Sequence, residues 1–362
     1  MSDSPSTFDR TTGVENKDSK NLRYIDIDAD ELRVSGFAFR KKGEPFSRMQ
    51  RDRKLPHAVT VLARNTAGGR IDFVSNTTRI WLKVKLKEAG HMDHIPDTGS
   101  CGFDLYMGDG KKSFFIGTSR FNQGDDKYET KMHTFLLDGE MHHFTLNMPL
   151  YSGVKSVKIG IDEDAQLLPP EPWSDPRPLV FYGTSITQGG CASRPGMAYT
   201  AILGRRFNRP VLNFGFSGSG RGEAVVARHL AKVENPAALI LDYDANTSLE
   251  EMKNTLEEFI AILRATHPEV PLIVISGPRY SREIILSCDA DTPMQAKALS
   301  AKFQEDTVKK LRDAGDKNIY FINGGKLYGD MWHELSVDGT HPTDAGFFFF
   351  AENLSKILAE II

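Results

Sequence analysis

Five near-continuous apolar runs in the second half of the chain constrain its fold more than any other feature. They are LVFYG (179–183), PVLNFG (210–215), ALILDY (238–243), PLIVIS (271–276) and NIYFIN (318–323). Short runs without alternation suit parallel strands covered on both faces. Helical patterns lie between and after them, at about 197–207, 221–233, 249–266, 293–314 and 344–361. Strands alternating with helices imply right-handed crossovers and a doubly wound, three-layer α/β domain over 179–362. In such a sheet, ligands sit outside the carboxyl ends of the strands, which fixes where chemistry is to be sought. Four successive aromatics, Phe347 to Phe350, cover every face of the last helix and are expected to be deep core.

The first half has a different texture. RIDFVS (70–75), IWLKVKLK (80–87), FDLYMG (103–108), SFFIGTSRF (113–121), HTFLL (133–137), HHFTLNM (142–148) and VKSVKIGI (154–161) alternate or carry β-branched and aromatic residues. Gly- and Asp-rich breaks such as Gly108-Asp109-Gly110 and Asp138-Gly139 separate them, because these residues tolerate the positive φ of tight turns. The expectation is an all-β, jelly-roll-like sandwich over 22–166, serving as an accessory domain. Residues 1–21 are polar and aperiodic and read as a disordered tail. LLPPEPWSDPRP (167–178) holds five prolines in twelve residues and reads as the linker between the domains.

Bulk properties exclude several classes of protein. With 45 basic against 48 acidic residues and a net charge of −3, the chain has no electrostatic footprint for nucleic acid or an anionic membrane. The local cluster Arg48, Arg51, Arg53 and Lys54 is interrupted by Asp52 and reads as a solvated face. Three dispersed cysteines, Cys101, Cys191 and Cys288, offer no disulfide framework and fit a reducing compartment. No apolar leader or long apolar run occurs, so the expectation is a cytoplasmic protein without a membrane span.

Chemistry-bearing residues gather at the predicted strand ends. The first run ends in Gly183-Thr184-Ser185-Ile186-Thr187-Gln188-Gly189, which presents the Ser185 hydroxyl at the binding edge. After the last run comes Asp338-Gly339-Thr340-His341-Pro342, where one tight loop supplies a histidine base and a carboxylate to orient it. The second run leads into GFSGSG (215–220), whose glycines let the Gly218 N–H approach a ligand. The third leads into Tyr243-Asp244-Ala245-Asn246, and the Asn246 amide is a further donor for a developing oxyanion.

These four blocks, in this order, resemble the SGNH (GDSL-type) hydrolase superfamily, in the branch with an N-terminal β-sandwich. The resemblance implies a flavodoxin-like catalytic domain with Ser185 as nucleophile, His341 as base and Asp338 as its orienter. It also implies an oxyanion hole formed by the N–H groups of Ser185 and Gly218 and the side chain of Asn246. Two positions depart from the family pattern: Thr184 stands where the family name has Asp, and Asp244-Ala245 precedes Asn246 where glycine is usual. The activity implied is that of a serine esterase acting on small acyl esters, acetyl groups on carbohydrate above all. An acyltransferase using the same triad, or a carbohydrate-binding or interaction protein with a degenerate hydrolase domain, are the alternatives. Thr184, Arg194, Met197 and Trp332 are candidate substrate contacts.

No cofactor and no catalytic metal are expected, because serine, histidine and oxyanion donors already supply what acyl transfer requires. The glycines at 215, 218, 220 and 222 do not spell a dinucleotide fingerprint, and no GK[ST] occurs. Cys191 follows Ser185 by six residues, but nothing in the sequence turns it toward His341. His91 and His94 raise the question of a metal, as do His142 and His143, which strand alternation sends to opposite faces. The sequence leaves the oligomeric state open.

Overall fold

The computed structural model describes residues 21–134, 139–281, 283 and 293–362. The expected tail falls almost wholly outside them. Ten strands build two antiparallel sheets in the first half: β1 (Leu22–Asp26), β2 (Arg33–Ser35), β3 (Arg70–Ser75), β4 (Arg79–Leu86), β5 (Asp104–Met107), β6 (Phe114–Thr118), β7 (Lys127–Thr134), β8 (His142–Asn147), β9 (Val154–Asp162) and β10 (Leu167–Leu168). One sheet runs β1-β9-β4-β7; the other runs β10-β3-β8-β5-β6, with β2 also on β3. Alternation sets the register: Leu82, Val84 and Leu86 of β4 point inward while Lys83 and Lys85 face water. The two inner faces close over a core that includes Phe73, Phe103, Phe144, Leu146 and Ile159. β7 begins well before the expected run because Tyr128, Thr130 and Met132 form its inward face, a pattern too polar to stand out as apolar alternation. Leu136 and Leu137 of that expected strand lie outside the described residues.

Five strands form the second-half sheet: β11 (Leu179–Gly183), β12 (Val211–Gly215), β13 (Ala238–Asp242), β14 (Leu272–Ile275) and β15 (Ile319–Ile322). Their order is β12-β11-β13-β14-β15 and every pairing is parallel, which is the flavodoxin-like arrangement. The chain holds eight helices among the described residues: α1 (His57–Leu62), α2 (Asp97–Ser100), α3 (Ser185–Gln188), α4 (Tyr199–Phe207), α5 (Ala224–Leu230), α6 (Leu249–Arg264), α7 (Pro293–Asp313) and α8 (Asp344–Leu358). None of the described helices is long and apolar enough to cross a membrane. α6 starts where it does because Ser248 and Glu251 form a reciprocal capping box. Of the four aromatics in α8, Phe347 and Phe350 are core; Phe348 and Phe349 are 47% and 43% exposed. The expectation that all four are buried fails because only one side of this surface helix meets the sheet layer, and a 3.6-residue period puts the middle pair on the other side.

Part of the first half is built into the second. Met49, Leu55, Val59 and Ala63, the last three in and around α1, pack into the core beneath α5 and α6. Arg48, expected in a solvated cluster, is 1% exposed. Its guanidinium donates to the carbonyls of Asn213 (2.9 Å) and Gly215 (2.6 Å) at the end of β12, and to those of Asn65 (3.0 Å) and Leu62 (2.7 Å). Burial pulls its pKa down to about 9, still charged at neutral pH, and the four carbonyls replace the water it lost. The proline-rich stretch also lies against the sandwich: β10 pairs with β3, and Arg33 stacks 3.9 Å above the Trp173 ring.

Candidate active site

β11 ends at Gly183, where the chain must pass between the start of α3 and β13. A β-carbon there would lie 2.0 Å from Thr187 Oγ1 and 2.3 Å from the Asp242 carbonyl, so only glycine fits. The chain then turns into α3 with Ser185 as its first residue, 7% exposed. Ser185 Oγ lies 2.9 Å from His341 Nε2. On the other side of the ring, His341 Nδ1 lies 2.7 Å from Asp338 Oδ2. Asp338 Oδ1 meanwhile accepts from the backbone N–H groups of Thr340 (2.9 Å) and His341 (2.7 Å), which ties the loop into a tight turn. Partial burial pushes the Asp338 pKa up, but its bonds to the His341 N–H and ring and the Thr340 N–H outweigh it and hold the carboxyl at about 2. An ionised carboxylate on Nδ1 fixes the tautomer whose Nε2 faces the serine.

The neighbouring strand ends carry further candidate donors. Gly218 has φ +65° and open space where a β-carbon would stand, so glycine serves the left-handed backbone that aims its N–H. Among the described residues, the backbone N–H groups of Ser185 and Gly218 have no hydrogen-bond partner. Asn246 donates one amide hydrogen to the Ser219 carbonyl, which locks the side chain against the glycine block and leaves its second N–H free to donate. Unpaired, fixed donors of this kind are what a developing oxyanion needs.

The candidate substrate contacts fare less well. Thr184 is fully buried, and its hydroxyl accepts from the Ile186 N–H at 3.3 Å, so it caps α3. Arg194 is engaged by the sandwich: its Nη1 donates to Asp104 Oδ2 (3.0 Å) and Tyr106 Oη (2.5 Å), and its guanidinium sits 3.7 Å over Phe115. Met197 packs half-buried against the core under α4 and α8. Trp332 packs on the same core, with the Arg279 guanidinium 3.6 Å over its ring. Thr184 and Arg194 thus have structural partners, the one as the cap of α3 and the other as the partner of Asp104 and Tyr106.

Several residues that shape the site carry no motif of their own. Gln188 spans from the sandwich to the glycine block, donating to the Leu150 carbonyl (3.1 Å) and accepting from the Ser217 N–H (3.0 Å). Asp344, at the start of α8, accepts from the Ser193 N–H (2.8 Å) and from its hydroxyl, joining the loop after the nucleophile to the loop that carries His341. Beneath α3, Asp242 accepts from Tyr199 Oη (2.8 Å) and Thr187 Oγ1 (3.0 Å). Burial pushes its pKa up to about 7 despite those two bonds.

The sandwich also reaches the histidine. His94 lies beside His341 with ring centroids 5.7 Å apart and the rings tilted by 46°, and Cys191 completes a group whose ligating atoms all lie within 4.8 Å of one another. Nothing in the sequence joins these three, since the loop carrying His94 meets the loop carrying Cys191 only after folding. His91 stands apart, paired with Asp97 at 3.0 Å. As a nucleophile Cys191 is unsuited: burial, with Asp338 and Asp93 nearby, pushes its thiol up to about 12.

A parallel five-stranded sheet with Ser, His and Asp joined in line at its carboxyl edge defines the SGNH class of α/β hydrolase folds. Residues 176–359 match the model of the GDSL-like lipase/acylhydrolase family, and the chain belongs to that family. Residues 22–167 match the model of the N-terminus of SGNH-hydrolase-type esterases, named for a GxDLY motif that reads Gly102-Phe103-Asp104-Leu105-Tyr106 here. A crystal structure described as a GDSL-like lipase from Bacteroides ovatus is 31% identical, with TM-score 0.85 over 94% of this chain and 98% of its own. The salicylyl-acyltransferase SsfX3 from a tetracycline biosynthetic pathway shares the fold at TM-score 0.76 and 18% identity, over 94% of this chain and 98% of its own. A family two carbohydrate esterase from Clostridium thermocellum, solved with cellohexaose, shares it at TM-score 0.55 and 17% identity, over 82% and 93%. No curated protein matches the chain by sequence.

Proposed function

We propose that the protein is a serine esterase that hydrolyses small acyl esters, chiefly acetyl, carried on carbohydrate. The observation that carries the chemistry is the hydrogen-bonded line Ser185 Oγ, His341 Nε2, His341 Nδ1, Asp338 Oδ2, with contacts of 2.9 and 2.7 Å. The first falls in the range over which a proton can be handed across as the bond to carbon forms, and the second holds the ring for that transfer. As Ser185 attacks the ester carbonyl, its proton passes to His341, and Asp338 stabilises the imidazolium. The N–H groups of Ser185 and Gly218 and the Asn246 amide receive the oxyanion. His341 then returns the proton to the leaving alcohol. Water, activated by the same base, releases the acyl group from Ser185 in a second half-reaction.

The acetyl and carbohydrate part of the proposal draws support from family membership and from a fold shared with a carbohydrate esterase solved with an oligosaccharide. The chemistry is tested by p-nitrophenyl acetate hydrolysis with wild type and Ser185→Ala. Loss of turnover in the variant is expected, and equal rates would remove the triad reading. Acetylated xylo- and cello-oligosaccharides test the substrate class, with acetate release as the readout. Product analysis with added alcohols separates hydrolysis from transfer to an acceptor.

A further inference from the structure

The structure assigns His94, Cys191 and His341 as a binding site for a thiophilic divalent cation such as Zn²⁺, which would switch the enzyme off by occupying its base. Two imidazoles and one thiol, whose ligating atoms all lie within 4.8 Å of one another, meet at one point. This is a soft donor set that suits zinc and repels hard cations. Tetrahedral zinc, with Zn–N of about 2.0–2.1 Å and Zn–S of about 2.3 Å, needs ligand atoms about 3.3–3.6 Å apart. The closure required is roughly an ångström, within reach of side-chain rotation.

The surroundings favour the assignment. His94 Nδ1 is bonded to Asp93 Oδ1 at 2.9 Å, and His341 Nδ1 to Asp338 Oδ2 at 2.7 Å. Each histidine therefore presents Nε2 and has a carboxylate behind it, the outer arrangement that orients metal-bound imidazoles and raises their basicity. The loop that carries Cys191 is held two residues on, at Ser193. The Ser193 carbonyl accepts from Thr98 Oγ1 at 2.6 Å, while the Ser193 N–H and hydroxyl are held by Asp344. Gly99 lies so close to this loop that a β-carbon there would be 2.1 Å from the Ala192 carbonyl. On binding, the Cys191 thiol releases its proton to solvent as the sulfur takes the metal. The His341 Nε2 lone pair, otherwise the acceptor of the Ser185 proton, is donated to the same ion. A fourth position remains for water.

The metal site stands independently of the esterase reading; only the inhibition rests on it. The test is calorimetric titration of the full chain with Zn²⁺, with Co²⁺ as a spectroscopic probe for a thiolate charge-transfer band. One ion per chain and a cobalt–thiolate band are expected. Outer partners of metal-bound histidines are worth about 10- to 100-fold in affinity, so losing a ligand, in His94→Gln or Cys191→Ser, should weaken binding at least that much. Ser185→Ala should bind zinc like wild type even though it turns nothing over, which keeps the two readings apart. Inhibition, read against each protein's own metal-free rate, should follow the same order and be reversed by a chelator, and Mg²⁺ should have no effect. No zinc binding to wild type, binding by His94→Gln and Cys191→Ser as tight as wild type's, or inhibition by Mg²⁺ equal to that by Zn²⁺ would overturn the assignment.

Discussion

Asp104 of the GFDLY strand receives three hydrogen bonds while being wholly buried: from Arg194 Nη1 at 3.0 Å, the Gly196 N–H at 2.7 Å and Asn147 Nδ2 at 2.7 Å. Asp104→Ala removes the acceptor of all three bonds at once and leaves a guanidinium 16% exposed without its counter-charge. Breaking a buried ion pair from one side costs about 3–5 kcal/mol, and each orphaned neutral donor about 1–3 kcal/mol. The terms do not add fully, because Arg194 keeps Tyr106 Oη and the Phe115 ring and has some access to water. A loss of about 4 kcal/mol is therefore expected. Asp104→Asn, which keeps an acceptor but no charge, should lose about half of that. Urea unfolding followed by far-ultraviolet circular dichroism and fluorescence measures both, with the midpoint shifting at unchanged slope. A cycle with Arg194→Met should show a coupling of about 1–3 kcal/mol. A loss below about 1 kcal/mol for Asp104→Ala, or no coupling, would refute the claim that this carboxylate clamps the loop after the nucleophile.

Three further outcomes are expected. Asp338→Asn presents an amide to His341 Nδ1 and lets the ring take the wrong tautomer, so turnover of p-nitrophenyl acetate should fall about 10⁴-fold; a fall under tenfold would exclude the orienting role. Asn246→Ala should lower kcat about 10²- to 10³-fold with little change in KM, as measured by steady-state kinetics. Asp242 has a folded-state pKa of about 7 against an ordinary 3.8, so the folded protein keeps a proton that the unfolded chain gives up. Its contribution is at its most favourable below about pH 4, falls as pH rises toward 7 and is level above, with a ceiling near 4 kcal/mol. Asp242→Asn should accordingly flatten Tm against pH between 4 and 7, and an unchanged slope would count against it.

The constellation that meets at Ser185 and His341 was the most legible part of this chain, for a physical reason. A nucleophile at a strand end, and an Asp and His three residues apart on one loop, are local patterns, and parallel strands buried on both faces reveal themselves as apolar runs. What stayed hidden depends on contacts between distant segments. Asp104 reads as one more residue of an alternating strand until Arg194 and Gly196, some ninety positions away, are brought against it. Arg48 reads as surface because a buried guanidinium needs carbonyls that only the end of β12 supplies. His94 and Cys191 look unrelated because their loops meet only through α2 and the start of α8. The aromatic run of α8 misled for a simpler reason: its composition says nothing about how many sides of a helix are covered.

The way Arg48 is seated bears on how such a protein can be taken apart. Its charge lies beneath the end of β12, while the chain that carries it returns to the sandwich and only then runs through the proline stretch. Covalently the two halves are joined once; physically the segment from Arg48 to Ala63 also packs the first into the core of the second. A protease nick between Pro169 and Pro178 should thus leave a two-chain complex that elutes as one species and keeps its shape. A gene cut at the same place would express a hydrolase half missing part of its own interior.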